Sequence, residues 1–230
     1  MILWDVDHTL IETRGVGLAI YRRAFPAATG RPLEELAKVS GRTELDIMRE
    51  TLRINAVEPT EKVVSMLAAA LIRGYAEARD ELAGTGRALP GAADTLATLA
   101  DNPAIFQTVL TGNLREVAGI KLEVFGLDQY LDLRTGAYSD DHAERAELVA
   151  IAQERAGRRA GVEFGNEATI LIGDTPNDVA AGLHAGVRVL AVASGTTTAG
   201  RLIDCGATWV ADELAGAKVL VERLVAQSSI

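Results

Sequence analysis

The stretch that decides the fold is Met1–Leu10, MILWDVDHTL, in which a short apolar run leads into two aspartates one residue apart. The run Ile2–Val6 predicts a buried strand that begins almost at the first residue. Side chains at positions i and i+2 of a strand point to the same face, so Asp5 and Asp7 repel each other unless a cation offsets their charge. The pair is therefore either a solvated strand end or part of a site that needs two carboxylates.

Further apolar runs of strand length recur along the chain. They are Ile105–Leu110, Thr169–Ile172, Val187–Val192 and a weaker run at Thr208–Val210. Helical patterns lie between the runs, at Ala92–Leu99, Leu114–Phe125, His142–Arg155 and Asp178–His184. Strands that alternate with helices predict an α/β fold, a Rossmann-like parallel sheet that is covered by helices on both faces.

The segment between Gly15 and Gly86 breaks this alternation, because it carries helical patterns only. The patterns span Gly17–Phe25, Leu33–Val39, Thr43–Ile54 and Thr60–Leu82. An all-helical insert of about 70 residues is too long for a connecting loop in a compact domain. It predicts a small all-helical domain at residues 15–86, inserted after the first strand into a core domain made of residues 1–14 and 87–230.

Polar residues follow the carboxyl ends of three predicted strands. They are Asp5 and Asp7, then Thr111-Gly112-Asn113, then Asp174 and Asp178. Ligands of open α/β sheets bind at this edge, where four carboxylates cannot all stay ionised without a cation. Oxygen ligands with no histidine or cysteine cluster favour Mg²⁺, which takes a few carboxylates together with a substrate phosphate. The sequence therefore predicts a magnesium site at this edge of the sheet.

The chain resembles the haloacid dehalogenase superfamily of phosphohydrolases in three motifs and in their order. The motifs are Asp5-x-Asp7-x-Thr9, Thr111-Gly112-Asn113 and Gly173-Asp174-x-x-x-Asp178. The helical insert lies between the first two motifs, which resembles the cap domain of the phosphoglycolate phosphatase and β-phosphoglucomutase branch. The resemblance implies a magnesium-dependent phosphatase that acts on a small phosphorylated metabolite, either phosphoglycolate-like or a sugar phosphate.

The resemblance also implies roles for the carboxylates. Asp5 would be the nucleophile that forms an aspartyl-phosphate, and Asp7 the general acid and base. Magnesium would be held by Asp5, the backbone carbonyl of Asp7 and Asp174. Asp178 would bind the metal through water or orient a cationic residue.

Substrate contacts are implied for the second motif and for two further residues. The hydroxyl of Thr111 and the backbone N–H groups near Gly112 and Asn113 would hold the phosphoryl oxygens. His8 stands where the family commonly has glycine, and it is a candidate contact to the substrate or the cap. Arg42 follows a glycine at a predicted helix start, where it either pairs with a second anionic group of the substrate or is a surface arginine.

A cation that bridges the nucleophile and the phosphate is expected between the second and third motifs. The family commonly places a Lys-Pro pair there, and this chain has none in that interval. Lys121, Arg134 and Arg145 are the candidates. We favour Arg145, which opens the helix where the family residue lies, and interpret Lys121 as part of a solvated helix face. Arg134 closes a short strand-like segment.

Composition limits the function classes. A formal net charge of −9 argues against a general nucleic-acid binder. The single cysteine, Cys205, excludes an intramolecular disulfide and a cysteine-based zinc site. No apolar run reaches the length of a membrane span. Because the first predicted strand begins at Ile2, we expect no signal peptide. We therefore expect a cytoplasmic monomer or homodimer.

Alternative functions remain open at this stage. A phosphoglucomutase-type phosphotransferase uses the same core, and nothing in the insert distinguishes it from a phosphatase. A dehalogenase proper is disfavoured, because its reaction does not require Asp7. A regulatory module that holds a phosphoaspartate without turnover is also disfavoured, because Asp7 is the residue that would discharge the intermediate. A dinucleotide-binding domain is disfavoured, because this chain lacks the glycine-rich turn that such a domain has after its first strand.

Overall fold

The computed structural model describes residues 1–215. Five strands form one parallel sheet: β1 (Ile2–Trp4), β4 (Gln107–Val109), β5 (Ile170–Gly173), β6 (Arg188–Val192) and β7 (Trp209–Ala211). Two further strands, β2 (Ile11–Glu12) and β3 (Arg87–Ala88), form a separate antiparallel pair. The order of the large sheet is β4-β1-β5-β6-β7. The fold class is therefore α/β, as predicted.

The central position of β1 explains how the predicted motifs meet. All three residues of β1 are fully buried, as expected of a strand covered on both faces. Leu3 pairs with Thr108 of β4 on one side and with Leu171 of β5 on the other. Because the three strands are parallel and in register, their carboxyl ends lie side by side.

Helices cover both faces of the sheet and fill the insert. The insert holds α1 (Val16–Thr29), α2 (Glu44–Ile54), α3 (Glu61–Glu77) and α4 (Arg79–Thr85). The sheet is flanked by α5 (Ala92–Ala100), α6 (Arg115–Val124), α7 (Glu147–Ala160), α8 (Pro176–Ala185) and α9 (Ala199–Asp204). One apolar cluster joins α1–α4 to the α6 residues Val117 and Ile120, so the insert packs on α6.

The helix predicted at Leu33–Val39 was wrong, since these residues adopt no regular structure. Three of their backbone N–H groups donate to side chains of α2 and its C-terminus instead of to helix carbonyls. The Asn55 side-chain oxygen accepts from Glu34 N at 2.8 Å and from Glu35 N at 3.2 Å, and Thr51 accepts from Ala37 N. Tertiary hydrogen bonds thus replace the local ones that the apolar spacing suggested.

Three other predicted elements differ from the structure. The pattern Thr60–Leu82 forms two helices, α3 and α4, with a break at Ala78. The helix predicted at His142–Arg155 begins only at Glu147. The strand-like segment before Arg134 is not a strand, and a short 3₁₀ helix at Asp128–Tyr130 leads into it.

The predicted domain boundaries at residues 14/15 and 86/87 fall beside β2 and β3. Residues 216–230 of the predicted core domain lie outside the described residues. Within the described part of the chain, no helix has both the length and the apolar character needed to cross a membrane.

Candidate active site

A cavity of about 370 Å³ lies between the carboxyl edge of the sheet and the helical insert. The core contributes the three motif regions and two cations to its wall. The insert contributes residues of α1, α2 and α3 and the loop before α2. The residues that line it include Asp5, Asp7, His8, Tyr21, Arg42, Glu44, Tyr75, Thr111, Gly112, Asn113, Lys121 and Arg145.

Three carboxylates and one guanidinium form a buried group at one end of the cavity. Asp5, Asp174 and Asp178 offer carboxylate oxygens that all lie within 4.8 Å of one another. Arg145 Nη2 lies 2.7 Å from Asp5 Oδ1 and 2.5 Å from Asp178 Oδ1. Its side chain is only 9% exposed. One cation therefore serves three buried anions, which leaves an excess of two negative charges.

The excess negative charge changes the proton affinity of this group. Burial raises the pKa of Asp5 to about 7, although Arg145 opposes the shift. Burial and the neighbouring Asp5 and Asp178 raise the pKa of Asp174 to about 8. Burial and neighbouring negative charges disfavour the ionised form of these carboxyl groups. A bound cation would favour that form, because it would neutralise the negative charge.

Local structure fixes two of these carboxylates. Asp178 is the third residue of α8, and its Oδ2 accepts hydrogen bonds from Thr175 N at 3.0 Å and Thr175 Oγ1 at 2.6 Å. This capping box leaves Oδ1 to hold Arg145. Gly195 leaves space for the second carboxylate, that of Asp174, because a Cβ on residue 195 would come within 1.9 Å of Asp174 Oδ2.

The donor set fits a hard divalent cation. Asp174 Oδ1 is buried and has no hydrogen-bond partner among the described residues. It lies next to Asp5 in a cluster whose ligand atoms are carboxylate oxygens only. An ion of charge +2 would neutralise the cluster, and Mg²⁺ prefers such oxygen ligands.

Asp7 lies in a different electrostatic environment. Lys121 Nζ is 2.9 Å from Asp7 Oδ1 and 2.7 Å from Oδ2, and Asn113 Nδ2 donates to Oδ2 at 2.8 Å. Lys121 also donates to Asn113 Oδ1 at 2.7 Å, and Asn113 Nδ2 to Thr111 Oγ1 at 2.8 Å. Burial alone would raise the pKa of Asp7, but Lys121 and Asn113 together lower it.

The interpretation of Lys121 as a solvated residue was wrong, because its side chain is 5% exposed. A sequence signal existed: Leu114, Val117, Ala118 and Lys121 follow the i, i+3, i+4, i+7 spacing of one helix face, and the first three are buried. A lysine in phase with the apolar face points inward. Arg134, in contrast, has a side chain that is 80% exposed, and it lies outside the site beside Asp132.

Gly112 permits close contact between the core and the insert. A Cβ there would come within 2.3 Å of the Arg42 carbonyl oxygen. Glu44 N donates to Gly112 O at 2.7 Å, so the loop before α2 rests directly on the second motif. Thr111 is fully buried at the same place.

Two more hydrogen bonds hold this loop and the first turn of α2 over the site. Asn177 Nδ2 donates to Gly41 O at 2.6 Å, and Leu45 N donates to Ser139 Oγ at 2.9 Å. Asn177 and Ser139 belong to different segments of the core. Sequence reasoning missed both residues, because a contact between two distant polar groups has no periodic signal.

His8 has a conformational reason for its place in the chain. Its φ is +60°, a left-handed conformation that glycine adopts readily and that histidine adopts more often than most residues. This value accounts for the glycine that the family commonly has there. His8 lines the cavity, and its carbonyl accepts a hydrogen bond from Ser194 Oγ at 2.5 Å.

Arg42 lines the cavity, yet its guanidinium is occupied within the insert. Nε lies 2.6 Å from Asp46 Oδ2, Nη1 donates to Lys38 O, and Nη2 donates to Asp46 O. The insert also contributes Glu44, which accepts a hydrogen bond from the Tyr21 hydroxyl. Sequence analysis did not single out Glu44 or Tyr21.

Comparison with known proteins gives a family and a relative for this chain. The family model described as haloacid dehalogenase-like hydrolase matches residues 2–192. Pyrophosphatase PpaX of Halalkalibacterium halodurans is 26% identical over 195 residues, which span 83% of this chain and 82% of that protein.

Solved structures share the fold over nearly the whole chain. A hydrolase from Pseudomonas syringae superposes with a TM-score of 0.71 and 20% identity, covering 96% of this chain and 97% of that one. A HAD hydrolase of family IA, variant 3, from Entamoeba histolytica has a TM-score of 0.71 and 18% identity, covering 100% and 99%.

Proposed function

The chain belongs to the haloacid dehalogenase-like hydrolases and is a phosphatase-type enzyme of that family, and we propose that it hydrolyses a small phosphorylated metabolite with the help of a magnesium ion. The observation that carries the proposal is the contrast between two aspartates in one cavity. Asp5 lies in a cluster with too much negative charge, and Asp7 is paired with a buried lysine. A nucleophile beside a metal and a separate acid and base need these two environments.

The reaction runs in two steps that return both aspartates to their starting states. A carboxylate oxygen of Asp5 attacks phosphorus, and the bond from phosphorus to the leaving oxygen breaks. That oxygen takes a proton from Asp7, which must be protonated in the substrate complex although Lys121 and Asn113 favour its ionised form in the free protein. A water molecule then gives a proton to Asp7 and attacks phosphorus. The Asp5–phosphate bond breaks, and inorganic phosphate leaves.

Asp5, Asp174 and the backbone carbonyl of Asp7 would hold Mg²⁺, which neutralises charge on the phosphoryl group when it is bound. Asp178 holds Arg145 against Asp5, so it orients the cation that faces the phosphoryl oxygens. Thr111 and the backbone of the second motif would bind the same oxygens. The loop before α2 lies over them and would exclude bulk water.

A phosphotransferase and a module without turnover are the alternatives from the sequence. The Lys121–Asp7 pair favours turnover, because it keeps the acid and base in place beside the cavity. Transfer to a sugar hydroxyl uses the same groups, and product analysis distinguishes it from hydrolysis. A cytoplasmic location and a monomeric or homodimeric state stay predictions.

A hydrolysis screen tests the proposal. Phosphomonoesters and pyrophosphate are incubated with the protein, with Mg²⁺ or with EDTA, and released phosphate is measured. Pyrophosphate is included because a relative is named as a pyrophosphatase. We expect magnesium-dependent turnover that falls at least about 10⁴-fold in Asp5→Asn, because the nucleophile is lost.

The control variant is Asp101→Asn, at the exposed end of α5, which should retain full activity. Turnover that persists in Asp5→Asn would overturn the assigned nucleophile. A folded protein that releases phosphate from no compound would favour the module without turnover.

A further inference from the structure

The half of the cavity that faces away from Asp5 is built by the insert, and its acidic side chain is Glu44. Glu44 is the first residue of α2, and its backbone N–H is fixed to Gly112 in the core. Its Oε1 accepts the Tyr21 hydroxyl hydrogen, and Tyr75 lines the same wall. A leaving group bound in this half would therefore meet a carboxyl group and two phenols.

The cations near this half are already used. The three nitrogens of the Arg42 guanidinium bind Asp46 and the Lys38 carbonyl. Lys121 Nζ is shared between both oxygens of Asp7 and the Asn113 carbonyl oxygen. Within residues 1–215, no lysine or arginine lies within salt-bridge distance of Glu44. Among the described residues that line this half, Arg42 and Lys121 are each paired with a carboxylate, whereas Glu44 has no cation in salt-bridge contact.

An anionic tail on the leaving group would meet unfavourable electrostatics here. A carboxylate or a second phosphate needs a cation or several donors when it leaves water. A hydroxyl or an ammonium group has the opposite preference, since it can donate to the Glu44 carboxylate. The wall also offers carbon surface, because Leu18 and Val39 line it and are 39% and 52% exposed.

We propose that Glu44 is a specificity-determining residue that binds a hydrogen-bond donor on the leaving group and disfavours leaving groups with a second negative charge. The donor is a hydroxyl or an ammonium group. This inference rests on the proposed phosphatase reaction. Of the two substrate kinds expected from the sequence, it selects hydroxylated esters of the sugar-phosphate type over phosphoglycolate-like ones, and it disfavours pyrophosphate.

Matched esters test this selectivity. Glycerol phosphate carries hydroxyl donors, aminoethyl phosphate an ammonium, phosphoglycolate a carboxylate, and pyrophosphate a second phosphate. Because burial raises the pKa of Glu44, kcat and KM are measured at pH 8 in the presence of Mg²⁺. We expect kcat/KM for the two donor esters to exceed that for the two anionic substrates by at least about tenfold.

The variant Glu44→Gln removes the charge and keeps an acceptor for Tyr21. We expect the ratio between donor and anionic substrates to fall about tenfold, through lower KM for the anionic substrates and higher KM for aminoethyl phosphate. Glycerol phosphate should change least. The control is Glu50→Gln, also on α2, whose side chain pairs with Arg53 at the surface. Glu50→Gln should leave kcat/KM unchanged for all four substrates.

A binding measurement keeps the inference testable even without turnover. Calorimetric Kd values for glycerol phosphate and phosphoglycolate are compared in Asp5→Asn and in Asp5→Asn with Glu44→Gln. A weaker phosphoglycolate complex that gains affinity in the double variant supports the role of Glu44. Equal Kd values, a ratio that Glu44→Gln leaves unchanged, or a wild-type preference for the anionic substrates would overturn it. Absent turnover with this binding pattern would contradict only the proposed phosphatase reaction.

Discussion

Two buried cations pair with the carboxylates of this site, and the two groups that they form differ in net charge. Arg145 faces Asp5 and Asp178 in a cluster that also contains Asp174, so one positive charge meets three negative ones. Lys121 faces Asp7 alone and matches it one to one. The pKa of Asp5 rises to about 7, and the pKa of Asp7 falls below its usual value.

The difference shows how a short motif can serve two chemical purposes. Asp5 and Asp7 are two residues apart in the chain and both follow the end of β1 at Trp4, yet they face different cations. The Arg145 group has two more carboxylates than cations, and a divalent ion would neutralise this excess negative charge. The Lys121 group has no excess charge, and its hydrogen bonds hold the Asp7 carboxylate in a fixed position.

Removal of Arg145 should have the largest effect on stability. Arg145→Met leaves Asp5 and Asp178 buried without their cation, and we expect a loss of about 3–5 kcal/mol in the free energy of unfolding. Urea unfolding in EDTA measures it. Arg134→Met is the matched control, and it should change stability by less than about 0.5 kcal/mol. Equal effects of the two variants would contradict the assigned charge balance.

Stability without metal should fall as pH rises. In the folded protein Asp5 and Asp174 keep protons up to about pH 7 and 8, whereas the unfolded chain releases them near pH 4. The folded state therefore binds more protons in this window, so the free energy of unfolding declines by about 1.4 kcal/mol per pH unit for each group that is protonated in the folded state alone. Urea unfolding in EDTA at several pH values checks it.

Asp174→Asn is the control for this pH dependence, because it removes one of the two groups. Its stability should vary less between pH 5 and pH 8 than that of the wild type. A wild-type stability that rises over this range would show that the carboxyl groups are ionised without a metal.

Removal of Lys121 should have a smaller effect than removal of Arg145. In Lys121→Met, Asp7 loses its cation but is still hydrogen-bonded to Asn113, and its side chain is 34% exposed to water. We expect a loss of about 1–2 kcal/mol in urea unfolding. A larger loss than that of Arg145→Met would reverse the comparison.

The contact between the insert and the core gives the smallest expected effect. A Cβ in Gly112→Ala would meet the Arg42 carbonyl oxygen, so the loop before α2 must move away from the site. We expect a higher KM and a stability loss of about 1 kcal/mol. Gly119→Ala, on α6 with open space around the new Cβ, should instead raise stability by about 0.5–1 kcal/mol. Equal KM values in the two variants would contradict the tight contact.

The sequence predicted the sheet and the grouping of the motifs because both depend on short-range patterns. Apolar runs with a polar residue at the end marked β1, β4 and β5, and parallel strands bring such ends together. The charge of Asp5, Asp174 and Asp178 followed from residue type alone.

Contacts between distant segments could not be predicted in the same way. Residues 33–39 have helical spacing, but side chains from α2 satisfy their backbone. Arg42 was a candidate for a substrate anion, and only the structure shows that Asp46 already occupies it. The burial of Lys121 could have been predicted, because it lies on the apolar face of α6. The wrong prediction came from considering its charge and not its position on the helix.

The most direct test of the two charge balances is the stabilisation that Mg²⁺ gives at pH 8, measured as the shift in melting temperature on addition of the ion. We expect a shift in the wild type, almost none in Asp174→Asn, and a near wild-type shift in Lys121→Met. A shift that survives in Asp174→Asn, or that disappears in Lys121→Met, would contradict the division of the site into a half that requires a metal and a half that is neutral by itself.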